Sequence, residues 1–253
     1  MNPFTMLTTA ILSYLIGSIS FARIVYRIWT GERVKDFKVA EDGGDDSVEL
    51  IHFGANSVSS KLGAKGGFVV SVMDIIKIGL PVLIVNRMFP NQDWLPVITA
   101  LFGMAGHIWP LYFKFRGGGG FSAVMGAMLV FDPLALLVTP IAGLVLGMLI
   151  VRNIAVATLS WMWLLIPWFL IRKPGNFPFI IYPIAANILF TLAMVPEIKI
   201  QMEQAKMGKK DEYGMQELSA TPMGRGYLKM ARKLGFVQEE TFSKQDSGSD
   251  NEE

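Results

Sequence analysis

Gly106-His107-Ile108-Trp109-Pro110-Leu111-Tyr112-Phe113-Lys114-Phe115-Arg116-Gly117-Gly118-Gly119-Gly120-Phe121-Ser122-Ala123 joins the end of a hydrophobic span to an unbroken run of four glycines flanked by cations. Without Cβ atoms, the backbone N–H groups of Gly117, Gly118, Gly119 and Gly120 can converge on an anion, with Lys114 and Arg116 adding positive charge. The apolar run from Ser122 to Phe131 sets a helix N-terminus against the turn, which favours phosphate further. Taken alone, a glycine run is more often a flexible or close-packing turn. A dinucleotide fingerprint is excluded, because it needs a preceding strand in a soluble βαβ unit.

Working outward, composition places the 253-residue chain among polytopic membrane proteins. Hydrophobic residues make up 52%, charged residues only 17%, and the mean hydropathy is positive. Cysteine is absent, which removes thiol nucleophiles and cysteine metal sites, and His52 and His107 are the only histidines. No metal-ligand cluster and no Ser/His/Asp arrangement emerges from spacing. The N-terminal apolar stretch has neither a basic region before it nor a small-x-small cleavage site after it, so it reads as a retained helix.

The fold class expected is all-α integral membrane, a bundle of about seven transmembrane helices. Spans fall near 4–25, 66–86, 94–113, 118–131, 133–151, 154–171 and 177–196, each approaching the roughly 20 residues that cross the hydrocarbon core. Asp132-Pro133 separates the fourth from the fifth, either as a tight helical hairpin or as a break within one helix. Arg23, Arg27, Arg33, Lys35, Lys38, Lys61, Lys65, Lys114, Arg116 and Arg152 then lie on one side, against Arg87, Arg172 and Lys173 on the other. The positive-inside rule puts the N-terminus outside, the C-terminus in the cytoplasm and the glycine turn at the cytoplasmic face. Residues 1–197 form the membrane domain, with a long cytoplasmic loop at 28–65 whose acidic middle, Glu41–Ser47, reads as solvated. Residues 198–253 form a polar cytoplasmic tail with a disordered end and room for a basic surface helix at 227–236.

Two further constellations are candidates for chemistry. Gly54-Ala55-Asn56-Ser57-Val58-Ser59-Ser60-Lys61-Leu62-Gly63-Ala64-Lys65 offers small residues, hydroxyls and two cations for a second anion cup, or else an ordinary polar loop. Asp74 and Lys77 stand three apart, on one face of the second span. Ionisable residues in such a place face a partner or a wet cavity. His107 reads first as a hydrogen-bonded packing residue. Gly17, Ser18 and Ser20 read as small residues that let helices approach, and Asn153 with Thr158 as a cap and an interhelical bond.

Taken in order, these segments resemble the acyl-phosphate-dependent glycerol-3-phosphate acyltransferase family of PlsY type. Ser13 to Phe21 is similar to its YLxGSIxF pattern. Gly54-Ala55, Leu62-Gly63, Lys65, Gly67, Asp74 and Lys77 fit the spacing of GATNxxRxLGKKxGxxVxxxDxxK, and Gly106 to Gly120 parallels GHxxPxxxxFKGGKG. The resemblance implies transfer of an acyl group from acyl phosphate to glycerol-3-phosphate, giving lysophosphatidate without metal or organic cofactor. It places the protein in the cytoplasmic membrane, in contact with membrane lipids and with no nucleic-acid partner. Carried onto this chain, it makes Ser60, Lys61 and Arg116 the candidate catalytic residues. Gly54, Asn56, Ser57, Lys65, Lys114, Gly117, Gly118, Gly119, Gly120 and Ser122 are candidates for binding phosphate, and Asp74 with Lys77 for a structural charge pair.

The chain departs from the pattern where charge matters. Gly119 stands where the family has lysine, and Ser57 and Ser60 where it has asparagine and arginine. Glu49-Leu50-Ile51-His52 replaces a GSGN-like loop, residues 153–158 lack one hydroxyl, and Met194 to Lys199 lacks the family's histidine and asparagine. One lost charge-assisted contact costs on the order of 10²–10³ in rate. The alternative reading is therefore a catalytically degenerate member that binds lipid or phosphate. A small transporter, the third reading, has only Asp74 and Lys77 to offer as an ionisable pathway.

Overall fold

Asn2 starts the first helix by accepting the Phe4 N–H at 3.0 Å on its side chain, with Pro3 in the first helical turn. The computed structural model describes residues 2–32, 34, 38–40, 47–49, 52–151, 154–206, 225, 226 and 229. Helix α1 (Pro3–Gly17) breaks at Ser18-Ile19-Ser20, and α2 (Phe21–Thr30) continues to Gly31, whose left-handed conformation (φ 74°) caps it. The strands β1 (Lys38–Ala40) and β2 (Ser47–Glu49) pair antiparallel, with Val39 opposite Val48. Then come α3 (Ala55–Met88), α4 (Trp94–Ile108), a 3₁₀ turn at Leu111–Phe113, and α5 (Phe121–Phe131). Helix α6 (Ala135–Val145) runs on through a π-helical stretch, Leu146–Val151, and α7 (Ile154–Arg172) and α8 (Phe177–Lys206) complete the order.

Seven apolar helical segments stand among the described residues. Pro3–Thr30, Ala55–Met88, Trp94–Phe113 and Phe177–Pro196 are long and apolar enough to cross a membrane, while Phe121–Phe131, Ala135–Val151 and Val156–Arg172 are shorter. Each expected span falls on one of them. Their outer faces carry exposed Leu7, Ile11, Leu80, Ile84, Leu137, Leu149, Ile188 and Leu192. Such a surface suits hydrocarbon, where helices satisfy every backbone polar group internally.

Two expectations need correction. The loop predicted over 28–65 is shorter, because α2 reaches Thr30 and α3 already begins at Ala55. The stretch from Ala55 to Leu62 is helix although Asn, Ser and Val are weak helix formers, because Val58 packs with Ala22 and Val25 of α2; the predicted second cup is therefore helix instead of loop. Its bend from the rest of α3 falls at Gly63 (φ 74°, ψ 179°), a backbone state that glycine adopts without strain. The loop also holds the β1–β2 ribbon, in which Lys38 pairs with Glu49 and Ala40 with Ser47. Residues 33, 35–37, 41–46, 50, 51, 152, 153 and most of the tail lie outside the described residues. So do the candidate cap at Asn153 and most of the tail helix at 227–236.

At Asp132-Pro133 one helix stops and another begins. Asp132 is extended, its Oδ1 accepts the Leu134 N–H at 3.2 Å, and α6 starts at once. The main core packs Ile78 and Val82 of α3 with Met104 and Ile108 of α4, Val124 and Met128 of α5, Met162 and Leu165 of α7, and Tyr182 and Phe190 of α8. Asn187 fastens α8 to α7 by donating to the Met162 carbonyl at 2.9 Å. A smaller cluster of Ala22, Val25, Phe53, Val58 and Val70 joins α2 to α3. Two seams are backbone against backbone: a Cβ on Gly17 would collide with the Gly103 carbonyl, and one on Gly79 would meet the Gly126 carbonyl at 2.9 Å.

Candidate active site at the glycine turn

The break between α1 and α2 organises the polar interior. Ser18 donates its hydroxyl to the Tyr14 carbonyl at 2.8 Å and accepts the Leu111 N–H at 3.3 Å, and the Tyr14 hydroxyl donates to the Trp109 carbonyl at 2.8 Å. Both side chains thus hold the segment leading into the glycine turn. Ser18 and Ser20 do more than permit close approach. The Ile19 carbonyl, released at the break, accepts Lys77 Nζ at 2.8 Å. Unpaired backbone inside a membrane protein demands such a partner.

Lys77 Nζ also lies 2.8 Å from Asp74 Oδ1, and both side chains are almost wholly buried. The contact is an ion pair by distance with poor hydrogen-bond alignment. His107 Nδ1 is 3.8 Å from the same oxygen, too far for a hydrogen bond. Asp74 on α3, Lys77 one turn later and His107 on α4 therefore form one buried polar centre. It borders a small cleft lined also by Ser18, Ile19, Ser20, Phe53, Pro110 and Gly118.

The glycine turn closes over this centre. Phe113 and Phe115 donate their N–H groups to the Pro110 carbonyl, each at 3.1 Å, and Lys114 and Phe115 adopt positive φ (52° and 59°). Gly118 donates its N–H to the His107 carbonyl at 3.1 Å, while the Gly117 carbonyl accepts the Phe53 N–H at 2.8 Å. Among the described residues the N–H groups of Gly117, Gly119 and Gly120 take no protein partner. The helices α3 and α5 both begin beside this turn, from Gly54 and Gly120, so two positive helix ends meet there.

The four glycines are not equivalent. A Cβ on Gly117 would collide with the His107 carbonyl, and one on Gly118 would run into the His107 ring. Gly120 sits at φ 96°, where an L side chain is strained. Gly119 alone has ordinary room, its nearest neighbour being the Met194 methyl at 3.6 Å. The turn therefore needs glycine at three positions and tolerates a side chain at the fourth.

Of the other sequence candidates, Gly54 packs against Gly118. Ser57 is buried and donates to the His52 carbonyl at 2.5 Å, and Ser60 donates to the Ser57 carbonyl at 2.9 Å. Asn56, Lys61, Lys65, Lys114 and Arg116 are exposed, and Ser122 is half-buried in the first turn of α5. None of Ser60, Lys61 and Arg116 lines the cleft. Burial pushes the His52 imidazole below its usual range, opposed by a hydrogen bond to the Ala193 backbone. No group of His, Asp and Glu among the described residues could hold a metal ion.

Sequence reasoning places Arg23 only among the cations that set orientation and gives Phe53 no role. Arg23 was available to it as a site residue: an arginine inside the apolar span 4–25 is the same signal that singled out Asp74 and Lys77. Phe53 gave none, because its role comes from a backbone bond across the fold.

The sequence model of the glycerol-3-phosphate acyltransferase family matches residues 7–204. The chain belongs to this family. Among glycerol-3-phosphate acyltransferases, that of Myxococcus xanthus (strain DK1622) is 35% identical over 127 residues, covering 50% of this chain and 60% of the relative. That of Aquifex aeolicus (strain VF5) is 29% identical over 123 residues, covering 49% and 58%. The chain spans about three fifths of the length of these curated relatives. Crystal structures of PlsY, an integral membrane glycerol 3-phosphate acyltransferase, superpose with TM-scores of 0.61 for the lysophosphatidic acid form and 0.62 for the glycerol 3-phosphate form. They cover 81% of this chain and 93% and 94% of theirs, at 23% and 22% identity. This family member therefore has the PlsY fold.

Proposed function

We propose that this protein transfers an acyl group from acyl phosphate to the 1-hydroxyl of glycerol-3-phosphate, forming lysophosphatidate and phosphate. The observation that carries the reading is the glycine turn, pinned by His107 and Phe53 with three N–H groups left for an anion. Both substrates carry phosphate. In the reaction the glycerol oxygen bonds to the acyl carbon while the acyl–phosphate bond breaks, and the hydroxyl proton leaves with the phosphate product or to water. Holding two phosphates in register supplies most of what such a transfer needs, through positioning and charge stabilisation. The buried Asp74–Lys77 pair and His107 keep the cleft floor polar without presenting a nucleophile. Ser60, Lys61 and Arg116 are kept as the proposed catalytic residues, acting on substrate that extends beyond the cleft lining. The exposed cations Lys65 and Lys114 add to the positive field around it.

The test is direct. Purified full-length protein, supplied with acyl phosphate and glycerol-3-phosphate, should release lysophosphatidate and inorganic phosphate. Folded protein that gives no product, under conditions where a family relative turns over, rejects the activity.

The second reading, a lipid- or phosphate-binding protein without turnover, is favoured by one observation: Gly119 contributes no charge where a side chain would fit. It expects glycerol-3-phosphate to raise the melting temperature with no product formed.

The proposed orientation puts the glycine turn in the cytoplasm and the N-terminus outside, on the strength of the cation distribution. Because the chain has no cysteine, Lys114→Cys and Lys173→Cys variants can be labelled cleanly in intact cells. An impermeant thiol reagent should reach only the cysteine at 173; the reverse pattern inverts the topology.

A further inference from the structure

The exposed cations around the turn leave open which positive charge meets a phosphate inside the cleft. Lys77 is committed to Asp74 and the Ile19 carbonyl. Lys61, Lys65, Lys114 and Arg116 are exposed. Arg23, half-buried on α2, is placed differently. Its guanidinium carbon lies 4.8 Å from the centre of the Phe53 ring and 4.6 Å from that of Phe113, and Nη1 donates to the Ser20 hydroxyl oxygen at 3.2 Å. Ser20 and Phe53 line the cleft, and Arg23 stands against both from just beyond its lining. Phe53 holds Gly117 through its N–H, and Phe113 belongs to the 3₁₀ turn that leads into the glycines.

Arg23 is thus clasped by the two segments that build the glycine turn. A guanidinium held over aromatic rings uses none of its N–H donors on them and keeps those donors for acceptors, and its fork matches phosphate. Ser20 takes one donor, and among the described residues no carboxylate pairs with it. Packing explains the rings but not the charge, since an apolar side chain would fill the same gap with less desolvation.

We propose that Arg23 is a phosphate-binding residue of this site, closing with its N–H edge on the phosphate that the glycine turn receives and supplying the cation that Gly119 does not. The inference rests on reading the turn as a phosphate site, but not on turnover.

The experiment compares full-length native protein, Arg23→Gln, Arg23→Lys, and Arg23→Gln combined with Gly119→Lys. Inorganic phosphate and glycerol-3-phosphate serve as thermal-shift ligands, and KM is measured separately for glycerol-3-phosphate and acyl phosphate. Arg23→Gln should lose most of the ligand-induced shift and raise one of the two KM values at least tenfold, with kcat changed much less; the KM that rises identifies the phosphate. Adding Gly119→Lys should restore much of the loss, which a merely structural clamp would not allow. Arg23→Lys keeps the charge without the fork and should raise the same KM several-fold. It decides the matter if Arg23→Gln does not fold. Unchanged shifts and KM values in both single variants overturn the proposal. If the native protein shows the shift and makes no product, and Arg23→Gln abolishes the shift, the acyltransferase reading fails and this inference stands. No shift and no product from folded native protein overturns both.

Discussion

The two ends of the bundle treat a buried aspartate in opposite ways. At the end where α5 turns into α6, Asp132 accepts from Leu134 N–H at 3.2 Å, Trp168 Nε1 at 3.1 Å and Arg172 Nε at 3.0 Å. Its carboxylate is saturated by good donors, and half-exposed Arg172 keeps the pair in touch with water. At the glycine-turn end, Asp74 has one close, poorly aligned cation and an imidazole at 3.8 Å, with a cleft beside them. A saturated carboxylate is a latch between α5 and α7. An under-coordinated one beside open space is what a binding site looks like before its ligand arrives.

That contrast can be broken from either side. The largest effect is expected from Lys77→Met, which strands Asp74 as an unpaired buried charge. It should cost about 3–5 kcal/mol and remove ligand-induced stabilisation, read by thermal unfolding with and without glycerol-3-phosphate. Next comes Asp132→Asn at the latch. Weakening hydrogen bonds to a charged acceptor should cost about 1.5–3 kcal/mol, yet leave the phosphate-induced shift and KM unchanged. A change in KM there would erase the distinction between the two ends.

A smaller effect concerns pH. Burial lowers the His52 pKa in the folded protein, so the unfolded chain binds more protons once pH falls below the ordinary histidine range near 6.5. Stability contributed by neutral His52 is present above that range and lost as pH drops toward the folded value. His52→Gln should flatten this part of the stability profile, measured by denaturation between pH 5 and 8. Gly119→Lys should be the mildest for stability, within about 0.5 kcal/mol, because the position has room. Its effect on turnover sharpens the comparison: a gain marks an eroded site, whereas loss of high native activity marks a rebuilt one.

Much of the fold was legible because hydrophobic length is a one-dimensional signal. The seven spans fall where apolar runs fall, and Asp74 meets Lys77 because helix periodicity places them together. The start of α3 was not legible, since Asn56-Ser57-Val58-Ser59-Ser60 is as polar as a loop and becomes helix through its packing on α2. Within the site, the glycine run announced a tight turn, but not that His107 consumes the Gly118 N–H or that only Gly119 has lateral room. Those facts depend on α4 and α8 arriving from elsewhere in the chain. Lys61 and Lys65 are exposed on α3, and Lys114 and Arg116 are exposed on the non-helical turn between α4 and α5, so none of these four cations is drawn into the interior.

The bare contacts between Gly17 and Gly103, and between Gly79 and Gly126, bear on lipid traffic. With main chain touching main chain, neither the α1–α4 seam nor the α3–α5 seam has width for a hydrocarbon tail without pulling the helices apart. If the proposed acyl phosphate carries a long chain, that chain has to reach the glycine turn by a gap other than these two seams.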